Sequence, residues 1–177
     1  MSDARADLVT VLQHAHAGEL AAGHAYRGHA ASVSDPVEKA HIRKIEDEEW
    51  VHRRQVGEML AALGAAPVPA RERKLERIGK TIAFLCRIGG WYVPMYGAGR
   101  LESHNVKEYE DAADLAVASG HPEFVACLLE MAEVEWDHEA YFRGKVESHG
   151  LRHVIRVWPP IPPREEIRRG FARRNPG

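Results

Sequence analysis

The sequence predicts an all-α protein, a four-helix bundle with a helical crossover between the second and third long helices. Apolar residues recur at helical spacing over long stretches that lack proline, and clusters of Gly, Pro and Ser separate those stretches. No stretch rich in Val and Ile alternates as a strand would. The 177 residues are 45% apolar and 28% charged, which is typical of one globular domain with a sizeable core.

The first half of the chain predicts a helical hairpin. One helix is expected over residues 5–31 and a second over about 36–63. Between them, Ser34 or Asp35 can cap the second helix, and Pro36 suits its first position. A Gly- and Pro-rich stretch ends that helix.

The second half predicts another hairpin after a long connection. A crossover helix is expected over 71–88, and the next helix should begin between 91 and 97 and run to Ala118. The last long helix should cover about 122–149. Short links join antiparallel neighbours, whereas a long link crosses the bundle.

The chain is divided into a bundle, residues 1–150, and a Pro- and Arg-rich tail, residues 151–177. The tail carries seven Arg and two Glu, although the whole chain has a net charge of −2. Its paired prolines favour an extended strap. The basic charge of the tail would suit an anionic partner or a subunit contact.

Composition also excludes several classes of protein. Two cysteines are too few for a Cys-rich zinc or rubredoxin-type site and fit a reducing cytoplasm. The N-terminus has no secretory pattern, and no charge-free apolar run is long enough to span a membrane. We therefore expect a cytoplasmic protein, or one peripheral to the inner face of a membrane. No nucleic-acid partner is expected.

Two Glu-x-x-His motifs, Glu49 to His52 and Glu135 to His138, carry the functional signal. Residues three apart project to one side of a helix. If each hairpin is symmetric about its turn, Glu19 lies level with the first motif and Glu102 with the second. The predicted metal ligands are thus Glu19, Glu49, His52, Glu102, Glu135 and His138.

Four Glu and two His on four helices form the ligand set of ferritin-like di-iron and di-manganese proteins. Carboxylates bridge hard cations, and imidazole suits iron. We expect two iron ions, with manganese as the alternative, and no catalytic residue beyond the metal centre. A third motif, Glu38 to His41, has no carboxylate level with it on the first helix, so it is interpreted as structural at a solvated helix start.

A tyrosine follows each single Glu by seven residues, which places it on the same helical stripe. Tyr26 follows Glu19, and Tyr109 follows Glu102. Their hydroxyls could hydrogen-bond to the groups that surround the ligands. Core packing of an aromatic ring with a polar tip is the equal alternative.

Several of these motifs resemble the demethoxyubiquinone hydroxylase family of ferritin-like di-iron monooxygenases. His16-Ala17-Gly18-Glu19, Tyr26-Arg27-Gly28 and Glu49-Trp50-Val51-His52 carry the resemblance in the first half. Leu101-Glu102-Ser103, Tyr109 and Glu135-Trp136-Asp137-His138 continue it. The chain departs from the family in having Glu108 where the family has His, and in its tail.

The resemblance implies roles for individual residues. Glu19 and Glu102 would be terminal ligands, Glu49 and Glu135 would bridge the irons, and each His would hold one. It also implies dioxygen activation, hydroxylation of a quinone ring and an apolar, membrane-facing entrance in the connection. Here that segment is 82–96, and a crossover helix buried on the bundle or in a dimer would look the same.

The leading functional hypothesis is a di-iron oxidase or hydroxylase acting on a small apolar or aromatic substrate such as a quinone or phenol. Its partners would be dioxygen and an external electron donor, because the chain has no Gly-rich dinucleotide motif. The alternatives are a ferroxidase or bacterioferritin-like protein, a rubrerythrin-like protein, and a binding module with a structural metal. We also expect a homo-oligomer.

Overall fold

The computed structural model describes residues 3–176, and within them it is helical without strands. The prediction of an all-α fold with the element order of a ferritin-like bundle is therefore confirmed. The described residues form six α-helices: α1 (Ala4–Ser32), α2 (Pro36–Ala62), α3 (Pro69–Cys86), α4 (Tyr92–Ala118), α5 (Val125–Ser148) and α6 (Glu165–Arg174). The chain forms two compact units, a first unit of Val9–Pro94 and a second unit of Met1–Leu8 with Met95–Gly177. The predicted boundary at residue 150 stays a prediction.

Helices α1 and α2 form an antiparallel hairpin in the first unit. Asp35 caps α2 as predicted, since its Oδ1 accepts from the backbone N–H groups of Val37 and Glu38 at 2.9 and 2.8 Å. The paired positions show that the two helices are antiparallel. Near the turn, Arg27 Nε donates to Glu46 Oε1 at 2.8 Å, and farther from the turn Arg53 donates to the His16 carbonyl. The midpoint of each pair lies near the predicted turn. The two helices are therefore aligned as the sequence analysis assumed when it placed Glu19 level with the Glu49 motif.

Helix α3 packs closely on α1 because two glycines remove side chains from the contact. A Cβ atom at Gly28 would lie 2.3 Å from the Ala83 backbone, and one at Gly79 would lie 2.4 Å from the Ala21 carbonyl oxygen. Such distances exclude any larger residue without backbone movement. The helix predicted over 71–88 is therefore present as α3, and it packs against α1.

The outer surface of α3 and of the turn after it is apolar. Phe84 is 60% exposed and Ile88 is 69% exposed, and three further apolar side chains are exposed nearby, namely Ile82, Leu85 and Val93. Burial of this segment on the bundle, one of the two alternatives, is therefore wrong for these five side chains. Within residues 3–176, no helix has the length and apolar character needed to cross a membrane.

In the second unit, α4 and α5 form the second antiparallel hairpin. Gly120 takes a φ of +79° in the turn between them, a backbone conformation that glycine adopts without strain. Asn105 Nδ2 on α4 contacts Glu135 Oε2 on α5 at 3.4 Å, and these positions centre on that turn. The predicted start of the last long helix at residue 122 is replaced by a 3-10 turn, Pro122–Phe124.

The tail contains a helix that the sequence did not predict. Residues 156–163, which we call the strap, are extended, as expected from their prolines, but α6 then folds over residues 165–174. Arg168 makes a bidentate contact with Glu133 at 2.7 and 2.8 Å, and Arg174 Nε donates to Asp114 Oδ2 at 2.6 Å. Ile167 is buried. A helix of this length is marginal in isolation, so these tertiary contacts hold it.

Candidate metal centre

The first unit contains one buried cluster of metal-ligating side chains. Glu19 on α1 and the pair Glu49 and His52 on α2 each offer one ligand atom, and these atoms lie within 4.8 Å of one another. Glu49 is fully buried, and the other two are 4% exposed. We call these residues the first triad. They come together because the hairpin sets Glu19 level with the Glu-x-x-His turn, as the sequence predicts.

The second unit contains the matching cluster, which we call the second triad. Glu102 on α4 and the pair Glu135 and His138 on α5 also offer ligand atoms that lie within 4.8 Å of one another. Both carboxylates are fully buried, and His138 is 2% exposed. The structure brings the three predicted residues of each triad together within one unit, and their role as metal ligands stays a prediction.

The two buried carboxyl groups of the second triad lack enough nearby positive charge and hydrogen-bond donors to offset the cost of ionising both. Burial raises the pKa of Glu102 well above its usual range, and the nearby Glu135 carboxylate raises it further. His138 and the Asn105 side-chain amide only partly oppose that pKa shift. Two buried carboxylates at this separation are costly unless a cation lies between them.

The donor set fits a pair of hard or borderline divalent cations. Carboxylate oxygen and imidazole nitrogen are the donors that iron and manganese accept, and neither triad contains a thiolate that would favour a softer metal. A bound cation would supply the positive charge that the Glu102 and Glu135 carboxylates require. The residues present therefore fit the predicted metal ions.

Asn105 contacts the second triad, and it was not among the residues predicted from the sequence. Its Nδ2 donates to Glu102 Oε2 at 2.8 Å. Such a bond fixes the orientation of a ligating carboxylate. Asn105 lies three residues after Glu102, on the same side of α4, so helical spacing alone could have indicated it.

The look-alike motif at Glu38 and His41 does not form part of a ligand cluster within residues 3–176. Glu38 Oε2 instead accepts from Trp91 Nε1 at 2.8 Å. The structural interpretation is therefore supported, but the helix start is less solvated than predicted, because Glu38 and His41 are both half-buried.

A comparison with protein families finds a match in the N-terminal part of the chain. Residues 6–72 match the family model described as ubiquinone biosynthesis protein COQ7. The match agrees with the family resemblance of the motifs that lie within residues 6–72. No curated protein and no solved structure matches the chain.

The COQ7 match spans less than half of the chain and covers one triad. It includes Glu19, Glu49 and His52 and extends into the start of α3. The description of the matched family names ubiquinone biosynthesis. Glu102, Glu135 and His138 lie outside the match, so geometry rather than family likeness supports the second triad.

The two tyrosines on the Glu stripes are both core residues. Tyr26, within the COQ7 match, is 2% exposed and its ring stacks on His29 with centroids 6.4 Å apart. Tyr109 is 1% exposed. Packing is thus established for both rings, and a role of their hydroxyls around the ligands stays a prediction.

Glu108, the position at which the chain departs from the family that it resembles, lies on α4 and is half-buried. Burial raises its pKa, and the charges of Glu135 and Asp111 raise it further. Glu108 therefore adds acidic character to the surroundings of the second triad. The departure changes the electrostatics near Glu135 and leaves the triad residues themselves in place.

His29 should make the stability of the metal-free protein depend on pH. Burial lowers its pKa to about 4, although Glu38 partly opposes that shift. In the unfolded chain His29 takes up a proton near pH 6.5, whereas the folded protein takes it up only near pH 4. Between these values we expect His29 to lower the free energy of unfolding by about 3 kcal/mol as pH falls.

Chemical denaturation of metal-free protein at several pH values checks this expectation. His29→Gln should flatten the loss of stability between pH 6.5 and pH 4. The exposed His104 provides the control, since His104→Gln should keep the wild-type slope. An unchanged slope in His29→Gln would show that His29 is not the group responsible.

Proposed function

We propose that the two triads together hold one pair of iron ions and that the protein is a di-iron oxidoreductase. It would activate dioxygen and hydroxylate a quinone-like or phenol-like ring. The observation that carries this proposal is the presence of two equivalent, buried Glu, Glu, His triads in a chain whose residues 6–72 match a ubiquinone biosynthesis family.

Each triad residue has a role in the proposed centre. Glu49 and Glu135 would bridge the two ions, and Glu19 and Glu102 would each bind one ion at its outer side. His52 and His138 would each complete one ion. When bound, the iron pair supplies redox chemistry with dioxygen that no amino-acid side chain can provide.

The protein contributes orientation and exclusion of water. Asn105 holds one oxygen of Glu102 at 2.8 Å, so that this carboxylate is oriented before metal binds. The triad side chains are nearly inaccessible to solvent, which strengthens their electrostatic interaction with a cation. Reducing electrons must come from an external donor, because the sequence carries no dinucleotide-binding motif.

The exposed apolar surface of α3 is suited to contact with a lipid-like substrate or with the membrane that carries it. Phe84, Leu85 and Ile88 project from the surface of the first unit, and the exposed Lys80 and Arg87 lie beside them in sequence. An apolar surface with basic neighbours is typical of peripheral contact with an anionic membrane. We propose that the protein meets a quinone-bearing membrane here, although a subunit contact within a homo-oligomer would use the same chemistry.

Single-turnover oxidation tests the proposed reaction. Protein loaded anaerobically with ferrous iron would be exposed to isotopically labelled dioxygen with a short-chain quinol or a phenol present. We expect labelled oxygen in the organic product and oxygen uptake that depends on the substrate. Glu38→Ala should retain this activity because Glu38 lies outside both triads.

Other outcomes of the same experiment separate the remaining functions. Oxygen uptake with ferric product and no labelled organic product would identify a ferroxidase. Rapid consumption of added peroxide without hydroxylation would identify a rubrerythrin-like peroxidase. Stable metal with no oxygen uptake by the reduced protein would identify a structural metal. Each of these results would contradict the hydroxylase proposal.

A further inference from the structure

Trp158 in the C-terminal strap is buried against the hairpin that carries the second triad. Its side chain is only 6% exposed, although proline-rich chain surrounds it. The ring lies against Gly99 of α4, where a Cβ atom would fall 2.5 Å from the ring. The absence of a side chain at Gly99 is therefore what admits the indole.

The indole also binds α5 through a buried carboxylate. Trp158 Nε1 donates to Glu139 Oε1 at 2.6 Å, and Glu139 is 2% exposed. Arg143 Nε donates to the same oxygen at 2.9 Å, and its guanidinium lies 4.9 Å from the centre of the Trp158 ring. The buried negative charge of Glu139 is thus paired and hydrogen-bonded, as a buried charge must be.

Both anchor points of Trp158 lie next to ligands of the second triad. Gly99 is three residues before Glu102 on α4, and Glu139 directly follows His138 on α5. The strap binds α5 at a second point, since Trp136 Nε1 donates to the Pro162 carbonyl at 2.8 Å. The tail therefore fixes the two helices at the turns from which the ligands project.

The first unit has an equivalent device that comes from a different part of the chain. Arg53, which directly follows His52, donates from Nη2 to Glu72 Oε2 of α3 at 2.6 Å. Glu72 Oε1 lies 2.9 Å from Nδ1 of His16, three residues before Glu19. Each hairpin is thus braced beside its ligands by an added segment, α3 in the first unit and the tail in the second.

We infer that Trp158 is a positioning residue for the second triad, acting through Gly99 and through Glu139 with Arg143. It fixes the relative rotation of α4 and α5 and so presets the separation of Glu102 from Glu135 and His138. The effect on metal binding rests on the proposed function, whereas the effect on the two helices does not.

The test uses the full chain with four variants. Trp158→Ala removes the ring and its N–H group, and Trp158→Phe keeps an aromatic ring but loses the N–H group. Gly99→Val fills the space that the ring occupies. Arg169→Ala, at an exposed position of α6, is the matched control.

The first readout is amide hydrogen exchange of the metal-free protein. Trp158→Ala and Gly99→Val should accelerate exchange in 99–106 and 135–142 while leaving α1 and α2 unchanged. Trp158→Phe should lie between wild type and Trp158→Ala. A general loss of structure would accelerate exchange in every helix and would contradict a positioning role.

The second readout is the binding and spectrum of cobalt(II), which reports ligand geometry without turnover. In Trp158→Ala we expect affinity for one of the two ions to fall roughly 10-fold, within the range typical for loss of an outer hydrogen-bond partner. The d–d absorption of that ion should shift, and Trp158→Phe should restore part of both changes.

Unchanged exchange, affinity and spectrum in Trp158→Ala would overturn the inference. Should Trp158→Ala fail to fold, the comparison of Trp158→Phe with Arg169→Ala decides in the same way. Wild-type protein that binds no metal pair would defeat the proposed function. In that case the hydrogen-exchange comparison still decides whether Trp158 fixes α4 and α5.

Discussion

Glu49→Gln is expected to remove both metal ions from the protein, not only the ion beside His52. In the proposed centre Glu49 would bridge the pair, and an amide cannot supply the negative charge that a bridging carboxylate shares between two cations. Glu135→Gln should have the same effect from the second unit. The double variant Glu49→Ala with Glu135→Ala should bind no iron tightly. Metal content after gel filtration, measured by elemental analysis, gives the result directly.

The alternative is two independent sites with one ion in each triad. Under that alternative, Glu49→Gln would lose one ion and keep the ion held by Glu102, Glu135 and His138. Glu38→Ala is the matched control. Glu38 is the glutamate of another Glu-x-x-His motif on the same helix, and it lies outside the triad. Retention of a single tightly bound ion in Glu49→Gln would contradict a shared pair.

Glu102→Gln should change metal affinity and metal-free stability in opposite directions. The pKa of Glu102 is raised by burial and by the adjacent Glu135, so ionised Glu102 destabilises the metal-free fold. That penalty is absent below the unfolded pKa near 4.5 and grows as pH rises toward the folded pKa. Glutamine keeps the shape of the side chain and removes the charge.

We therefore expect the melting temperature of metal-free Glu102→Gln to exceed that of wild type at pH 8, with the difference shrinking toward pH 5. In a chain of this size each kcal/mol corresponds to about 2–4 °C. Iron affinity should fall by more than the roughly 10- to 100-fold that loss of an outer-shell partner costs. Glu130→Gln, at an exposed position of α5, should change neither quantity.

A lower melting temperature of metal-free Glu102→Gln at pH 8 would contradict this account. It would mean that the Glu102 carboxylate stabilises the metal-free protein, and that its buried charge carries no energetic cost for a cation to relieve. Scanning calorimetry with and without iron separates the two effects, because bound metal stabilises only the folded state that binds it.

The hairpins and triads were predictable because they depend on short-range rules. Turn residues such as Asp35 and Gly120 are visible in the sequence, and helical spacing then places Glu19 and Glu102 level with the two motifs. The same rules rejected Glu38. In an antiparallel hairpin with a tight turn, two residues at equal distance in sequence from the turn lie side by side.

The remaining features were not predictable because they depend on where distant segments dock. Helix α6 is ten residues long and follows a run of prolines, so its own propensity does not indicate it. The sequence predicts only that Trp158 belongs to an extended strap. Its contact with Glu139 forms because the tail docks on α5, which the sequence does not indicate. The same is true of Glu72, which pairs with Arg53 only after α3 packs on α1.

The electronic state of the oxidised, iron-loaded protein tests the central claim most directly. If one iron pair shares the Glu49 and Glu135 carboxylates, its two ferric ions should couple antiferromagnetically. A sample with two irons per chain should then give no ferric electron paramagnetic resonance signal. Partial reduction should then produce a mixed-valence signal that Glu49→Gln abolishes. An intense signal from isolated high-spin ferric ions at full loading would contradict the shared di-iron centre.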